Sequence, residues 1–502
     1  MSSTDNNGSF DSYFHNDNNN IWKRFEKGYL KFMEKTNKII LQGITPGGIY
    51  KAIWCRDASY ILKDWFLSGN IENTMQQTYH IWSHQIYQNG TEKIVYGRGS
   101  PNLKFISNLV DATKQQEFEG ALPTTIYPDG FSEVYGENPD IDSTALMIST
   151  TAWILSRCFP LNEADYNISD NNNNSKFNFN KRAKITKSYL SRSIYKHIPK
   201  IEIINPSMVA EFVIPRMLKA VQYLITRDID NDGILEQGYN EDWMDTVLRT
   251  GKIVYSQACW IMALNNLSLL LSKFKEYKKE SIELKSKAVK TEETVDKELW
   301  SESNSCYIDN QTNNNDIGGS SILTQDVSFY LVAITRKNIN IVNKKDKPII
   351  KDFPKEKFVQ KDVHCLQDFV KIHLGRHLYQ RSESTLNEIK NRCWKNKLPL
   401  VTEKALKATG PYILKSYEYH NYTFWPWITA IEMLARSRFG RKFEYSVLLS
   451  KLINEKSTYS NSFYEWTNPI TNQGKGSYPF RTGISSIRIA LIDILEKIDV
   501  IY

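Results

Sequence analysis

Apolar residues recur at spacings of three and four through most of this chain, and alternating strand patterns are few. Trp22, Phe25, Tyr29, Phe32 and Met33 set the pattern, and Trp54, Ala58, Ile61 and Trp65 repeat it. A period near 3.6 lays such residues along one face of a helix. The same reading places helices near 73–87, 144–157, 184–198, 208–226, 254–274, 277–299, 322–336, 362–374, 423–437, 443–453 and 484–498. That is about a dozen helices or more. Ile261 to Leu271 is broken only by Asn265, Asn266 and Ser268, so this helix is apolar nearly all round and must be enclosed by others. A helical array of this size is a bundle, a solenoid or a closed toroid of hairpins. No self-similar period of 33–47 residues is evident, which argues against the common solenoids.

Residues 1–20 are rich in Asn, Asp and Ser and read as a disordered tail. From 21 to 502 the chain reads as one domain. Asn167 to Asn180 and Lys337 to Lys361 interrupt it as polar loops, and neither marks a composition shift.

Charge and cysteine usage exclude several function classes. The net charge is +8, from 64 Lys plus Arg against 56 Asp plus Glu. That is a mild excess for this length, and the basic cluster Lys344, Lys345, Lys347 and Lys351 contains Asp346 and Pro348, which reads as a solvated loop. No nucleic-acid partner is expected. The six Cys show no CxxC spacing, and the adjacent His364 and Cys365 suit neither a metal pair nor a nucleophile. No metal or cofactor is expected. Free thiols, no apolar leader and no run of 18 apolar residues make the expectation a cytoplasmic protein with no membrane partner. The oligomeric state is not legible.

Aromatics make up 12% of the chain, with 12 Trp and 28 Tyr, and many fall in the connections. Gly43 to Arg56, Glu117 to Asp142, Asp228 to Gly251 and Asn461 to Arg481 are long and rich in Trp, Tyr, Asp, Glu and Gly. Long polar-aromatic loops on a rigid scaffold are where a site is expected. In the third, Asp228, Asp230, Asp232 and Gly233 start like a calcium loop, but position 12 is Tyr239 where an EF-hand needs Glu. A turn ending the preceding helix is the preferred reading. Beyond it Glu236, Glu241, Asp242 and Asp245 crowd beside Trp243. A carboxyl buried against Trp243 would be held protonated near neutrality, as a general acid requires. In the fourth loop Glu465 lies between Tyr464 and Trp466, where a carboxylate can act as base on a water. Trp54 beside Arg56 and Asp57 suits a polyhydroxylated ring: the indole stacks on C–H groups and the charged pair supplies donors and acceptors. Asp142 or Ser143 can cap the next helix. His420 precedes Trp425, Pro426 and Trp427, which read either as core or as a sugar platform. No P-loop, GxGxxG, GxSxG or HExxH motif has a suitable context. Carboxylates with aromatics remain, the equipment of glycoside hydrolysis.

In this order the motifs resemble a family. W-x-R-D after a Gly-Gly turn, then D-x-D-G, then D-W-M-D followed by Gly251-Lys252 and a helix opening near Tyr255 resembles the six-hairpin glycosidases. The amylo-α-1,6-glucosidase domain of glycogen debranching enzymes looks closest, and the glucoamylase family is similar in layout, with a Tyr-Ser pair like Tyr255-Ser256. Glu465 to Pro469 with Thr471 resembles the E-x-x-x-P-x-T loop of related processing glucosidases, where the Glu is the base. The resemblance implies an all-α (α/α)6 toroid with its site at one end, inverting hydrolysis of an α-glycosidic bond, Asp245 as acid and Glu465 as base. It places Trp54, Arg56 and Asp57 at the non-reducing-end subsite, with Asp142, Trp243, His420, Trp425, Trp427 and Trp466 as further contacts to a carbohydrate substrate. Glucoamylases use a Glu acid, so Glu241 and Glu236 remain rivals of Asp245. The β-sandwich or transferase domain that often precedes such barrels is not seen in this sequence, which favours oligosaccharides over glycogen. Two alternatives stand: a non-catalytic carbohydrate-binding toroid, and a glycosidase for another sugar (mannoside, trehalose or sucrose).

Overall fold

The computed structural model describes residues 18–87, 94–96, 112–159, 205–247, 249–310, 322–335, 361–406, 414–453 and 460–496. The Asn-rich tail up to residue 17, the loop Asn167–Asn180, the helix expected over 184–198 and nearly all of the loop Lys337–Lys361 lie outside them. Asn18 to Asn20 belong to the first helix, α1 (Asn18–Ile40).

Twelve further helices follow in chain order among the described residues: α2 (Cys55–Leu67), α3 (Ile71–Ser83), α4 (Ala112–Glu117), α5 (Ile141–Cys158), α6 (Pro206–Ile225), α7 (Val254–Leu271), α8 (Lys278–Glu298), α9 (Ser328–Ile334), α10 (Lys361–Glu388), α11 (Pro426–Arg438), α12 (Lys442–Ile453) and α13 (Arg481–Glu496). They form two concentric layers. α2, α5, α7, α9, α11 and α13 pack side by side in that order, and α13 returns to α2, closing the ring. α1, α3, α6, α8, α10 and α12 pack around it. Inner and outer helices therefore alternate along the chain, and the fold is an (α/α)6 toroid.

The sequence assigns each helix to its layer. α7 is buried at nearly every position, as an inner helix of that composition must be. On α8 only Ser281, Leu284, Ala288, Thr291 and Val295 are buried, a single stripe at spacings of three and four facing α7. The junction that closes the ring carries a buried ion pair: Arg488 on α13 donates from Nε to both oxygens of Asp64 on α2, at 2.9 and 2.8 Å, and from Nη1 to Thr36 Oγ1 on α1 at 2.9 Å. α10 extends well beyond the expected 362–374, through a bend at Gly375 (φ 71°) to Glu388. Its second half carries mostly polar side chains without an apolar stripe, and tertiary bonds hold it, such as Arg381 to the carbonyl of Asp296 at 2.7 Å.

Because the layers alternate, all six inner helices run the same way, and their N-termini meet at one end of the ring. Two-residue antiparallel ladders close the connections there. Glu236–Gln237 pairs with Gly251–Lys252, and Trp466–Thr467 pairs with Gly474–Lys475. Among the described residues no helix is long and apolar enough to cross a membrane.

Candidate active site

At that end lies a pocket of about 440 Å³, its open mouth included. Residues at the starts of α2, α11 and α13, and in the loops before α7, α11 and α13, line it. Nine of the residues singled out from the sequence are in its wall: Trp54, Arg56, Asp57, Trp243, Asp245, His420, Trp425, Trp427 and Glu465.

Glu465 is 2% exposed and held by donors on both oxygens. Oε1 accepts from the hydroxyls of Tyr50 at 2.5 Å and Tyr419 at 3.1 Å, and Oε2 accepts from the Ser477 backbone N–H at 2.8 Å. Burial pushes its pKa up to about 7, and the three donors act against that rise. Burial and the neighbouring carboxylate raise both phenols well above their ordinary range, so they remain donors. Backbone geometry makes this arrangement possible. Gly476 has φ 73°, and a Cβ there would fall on the Glu465 carboxylate. Gly48 (φ 55°) lies against Ser477 and Tyr478, which brings the turn carrying Tyr50 onto the loop carrying Glu465.

Asp245 is 16% exposed, and its Oδ1 is buried with no hydrogen-bond partner among the described residues. Burial raises its pKa to about 7; Arg56 pulls it down, while Asp242, Glu465 and Asp142 push it up. The two carboxyls are thus close enough to sense each other's charge. The Asp245 loop is anchored beneath the pocket. Arg249 pairs with Asp242 at 2.9 Å and Asp326 at 2.8 Å, and Trp243 Nε1 donates to Asp326 Oδ2 at 2.7 Å.

Arg56 is fixed from behind. Nε donates to Asp142 Oδ2 at 2.6 Å and Nη2 to Asp140 Oδ2 at 3.1 Å. Asp142, which also accepts from Tyr255 at 3.0 Å, is fully buried behind Arg56 and does not line the pocket. Asp57 accepts from Thr482 at 2.5 Å, and burial lifts its pKa to about 6. The floor is aromatic: Trp243 meets Trp425 and Trp427 edge-on at 5.5 and 4.9 Å. Trp466 is half-buried beside Tyr419 and outside the pocket lining.

The rival carboxylates lie elsewhere. Glu241 is buried against Arg227 at 2.8 Å and accepts from Asn138 and the Gly238 N–H. Glu236 accepts from the Ile229 N–H and lies 3.5 Å from Lys252. Asp228, Asp230 and Glu236 come together near enough for a cation, and the Lys252 ammonium reaches into the same group, 2.6 Å from Asp230 and 2.5 Å from Asp232. The turn follows α6 with Asn231 and Gly233 at positive φ, as a helix-ending turn does.

Tyr50, Tyr60, Tyr419, Phe480 and Thr482 complete the wall. The sequence reading did not assign them. Tyr50 belongs to the quoted Gly47–Tyr50 turn and Tyr419 to the quoted Tyr419-His420 pair, but nothing local marks either hydroxyl as a partner of Glu465. The backbone around Tyr419 gives a structural signal: Tyr417, Tyr419 and Tyr422 all have positive φ (69°, 44° and 63°), and such strain concentrates at functional sites.

No protein-family model matches the sequence, and no curated protein matches it. Solved structures do. The GH63 mannosylglycerate hydrolase of Thermus thermophilus, in complex with Tris and D-glycerate, aligns at 12% identity over 92% of this chain and 98% of that one, with a TM-score of 0.53. The same enzyme in complex with glucose aligns with a TM-score of 0.51 over the same shares, also at 12% identity. A wild-type glycosidase aligns at 9% identity over 93% of this chain and 97% of its own, with a TM-score of 0.51. At these identities the likeness is one of fold.

Proposed function

We propose that this chain is an exo-acting, inverting α-glycoside hydrolase, an α-glucosidase of the glucoamylase or glycogen-debranching type acting on α-glucans or oligosaccharides. The observation that carries the reading is the meeting of Asp245 and Glu465 in one aromatic-floored pocket, both with pKa values raised to about 7. Solved glycosidases of the same fold support it.

The roles follow from the surroundings of each carboxyl. Glu465 receives three donors that favour its ionised form, whereas Asp245 has a buried oxygen with none. A single proton shared by the pair therefore resides on Asp245. Asp245 gives it to the glycosidic oxygen as the C1–O bond breaks. Glu465 takes a proton from the water whose oxygen bonds to C1 on the opposite face of the ring. A base fixed on both oxygens suits the positioning of a water, and inversion requires room for that water between the carboxyls. Arg56 and Asp57 would hold sugar hydroxyls, and the Trp floor would cover the apolar face and exclude water. A pocket of this volume suits one sugar ring at a chain end.

Asp245→Asn and Glu465→Gln should each lower turnover by about two to four orders of magnitude with folding retained. NMR of the first product should show the β-anomer from an α-linked substrate. Near-normal turnover in either variant ends the assignment. A glycosidase for another sugar is the second reading, favoured by the fold shared with a mannosylglycerate hydrolase. Maltose, isomaltose, trehalose, sucrose and α-mannosides tested together separate the two. A non-catalytic toroid gives no reason for two carboxyls held near neutrality in one pocket.

A further inference from the structure

Most hydrogen-bond donors in the pocket wall are already in use. Tyr50 and Tyr419 donate to Glu465, Thr482 to Asp57, Trp243 to Asp326 and Trp425 to the carbonyl of Tyr419. His420 differs. Its ring is gripped by Trp425, stacked at 4.7 Å and 27°, and by Trp243, edge-on at 5.0 Å and 80°. Nδ1 lies 2.8 Å from Thr246 Oγ1 and 3.7 Å from Asp245 Oδ1. The Thr246 hydroxyl has no other acceptor among the described residues, so it donates to Nδ1, which assigns the ring proton to Nε2. Burial, with Arg56 and Arg249 nearby, holds His420 well below its ordinary pKa, so the ring is neutral and keeps both roles. Nε2–H is left as a neutral donor on the side of the pocket that holds Asp245.

We infer that His420 Nε2–H donates a hydrogen bond to the 2-hydroxyl of the sugar being cleaved and so determines which C2 configuration the pocket accepts. The inference rests on Asp245 being the acid. The glycosidic oxygen must then lie at Asp245, and the hydroxyl on the cleaved sugar nearest to that oxygen is the one on C2. Hydrogen bonds to this hydroxyl strengthen in the transition state. A site built to bond a hydroxyl discriminates against the analogue lacking it far more than an apolar pocket does.

The test pairs side-chain deletion with hydroxyl deletion. kcat/KM is measured for wild type, His420→Leu and His420→Gln on the 4-nitrophenyl α-glycosides of glucose, mannose and 2-deoxyglucose. Glucose and mannose lose their difference when the C2 hydroxyl is removed, so one deoxy analogue serves both. The aryl leaving group carries no hydroxyl, so a contact to the leaving group produces no signal. With His420→Leu the preferred substrate should lose about 10- to 100-fold and the deoxy analogue less than about threefold, and His420→Gln should restore part of the loss. Equal losses on both substrates, or none on the preferred one, overturn the inference, because a merely structural role affects both alike. If wild type cleaves none of the glycosides, the hydrolase reading fails. Calorimetric binding of glucose, mannose and 2-deoxyglucose to wild type and His420→Leu then decides the contact alone. A wild-type preference for the hydroxylated sugar that His420→Leu abolishes supports it; no preference, or no binding, overturns it.

Discussion

Removing the Tyr50 hydroxyl should move the acid limb of the pH–rate profile upward. Tyr50 donates to Glu465 Oε1 at 2.5 Å, the shortest of the three bonds that favour the ionised carboxylate. A hydrogen bond to a charged group contributes about 1.5–3 kcal/mol. At 1.36 kcal/mol per tenfold change in ionisation, Tyr50→Phe should shift the loss of activity on the acid side by about one to two pH units. The sign is fixed. The base must be ionised, the donor favours that form, and its removal lets Glu465 keep its proton to higher pH. In wild type Glu465 titrates at about 7, so the variant should lose about 10- to 100-fold in kcat/KM near pH 6 and recover much of it as the pH rises. Tyr419, 3.5 Å from Tyr50 on the same oxygen, will compensate in part, so the double variant should shift further but less than additively. The assay is kcat/KM against pH on the best substrate of the panel, with Asp245→Asn as a control. An unmoved acid limb, a downward shift, or a shift in the alkaline limb alone would refute this account of the base.

Three other outcomes can be checked. Asp245→Asn should stabilise the fold at pH 8 and not at pH 4: a carboxyl raised to about 7 contributes stability below its ordinary value and loses it as the pH rises through about 7, a difference of up to about 4 kcal/mol, and a midpoint difference that does not change with pH would contradict it. Gly476→Ala should cut turnover at least about 100-fold while leaving sugar affinity within severalfold, since the new Cβ displaces the Glu465 carboxylate and φ 73° is strained for alanine; calorimetry beside kinetics reads the difference. Glu241→Gln should keep turnover within about tenfold, because Glu241 is tied to Arg227 outside the pocket, whereas a loss equal to that of Asp245→Asn would return Glu241 to candidacy.

The helices were legible because burial writes its period into the chain. The stripe on α8 and the all-apolar run in α7 give each helix its place before any neighbour is known. The second half of α10 was not legible, since its polar side chains form through tertiary bonds such as Arg381 to Asp296. In the site, Trp54, Arg56, Asp57, Asp245 and Glu465 stood out as charged and aromatic residues massed in loops. Tyr50 and Tyr419 did not, because a tyrosine among 28 gains meaning only from the carboxylate it meets across the pocket. Asp142 and Trp466 lie just outside the lining, a difference of one layer that no spacing encodes.

The sequence by itself therefore determined the helical layers, the loops that carry the chemistry and the kinds of side chain in them, because these depend on local periodicity and composition. Only the tertiary structure decided which of the crowded acids faces the cavity. Glu236, Glu241, Asp242 and Asp245 share one loop and one chemical type, and their separate fates depend on partners far away in the chain. Lys252 holds Glu236, Arg227 holds Glu241 and Arg249 holds Asp242, while Asp245 is left with a buried oxygen unpaired. Desolvation and charge pairing act through space, and closing the ring of α2 to α13 is what brings those partners within reach.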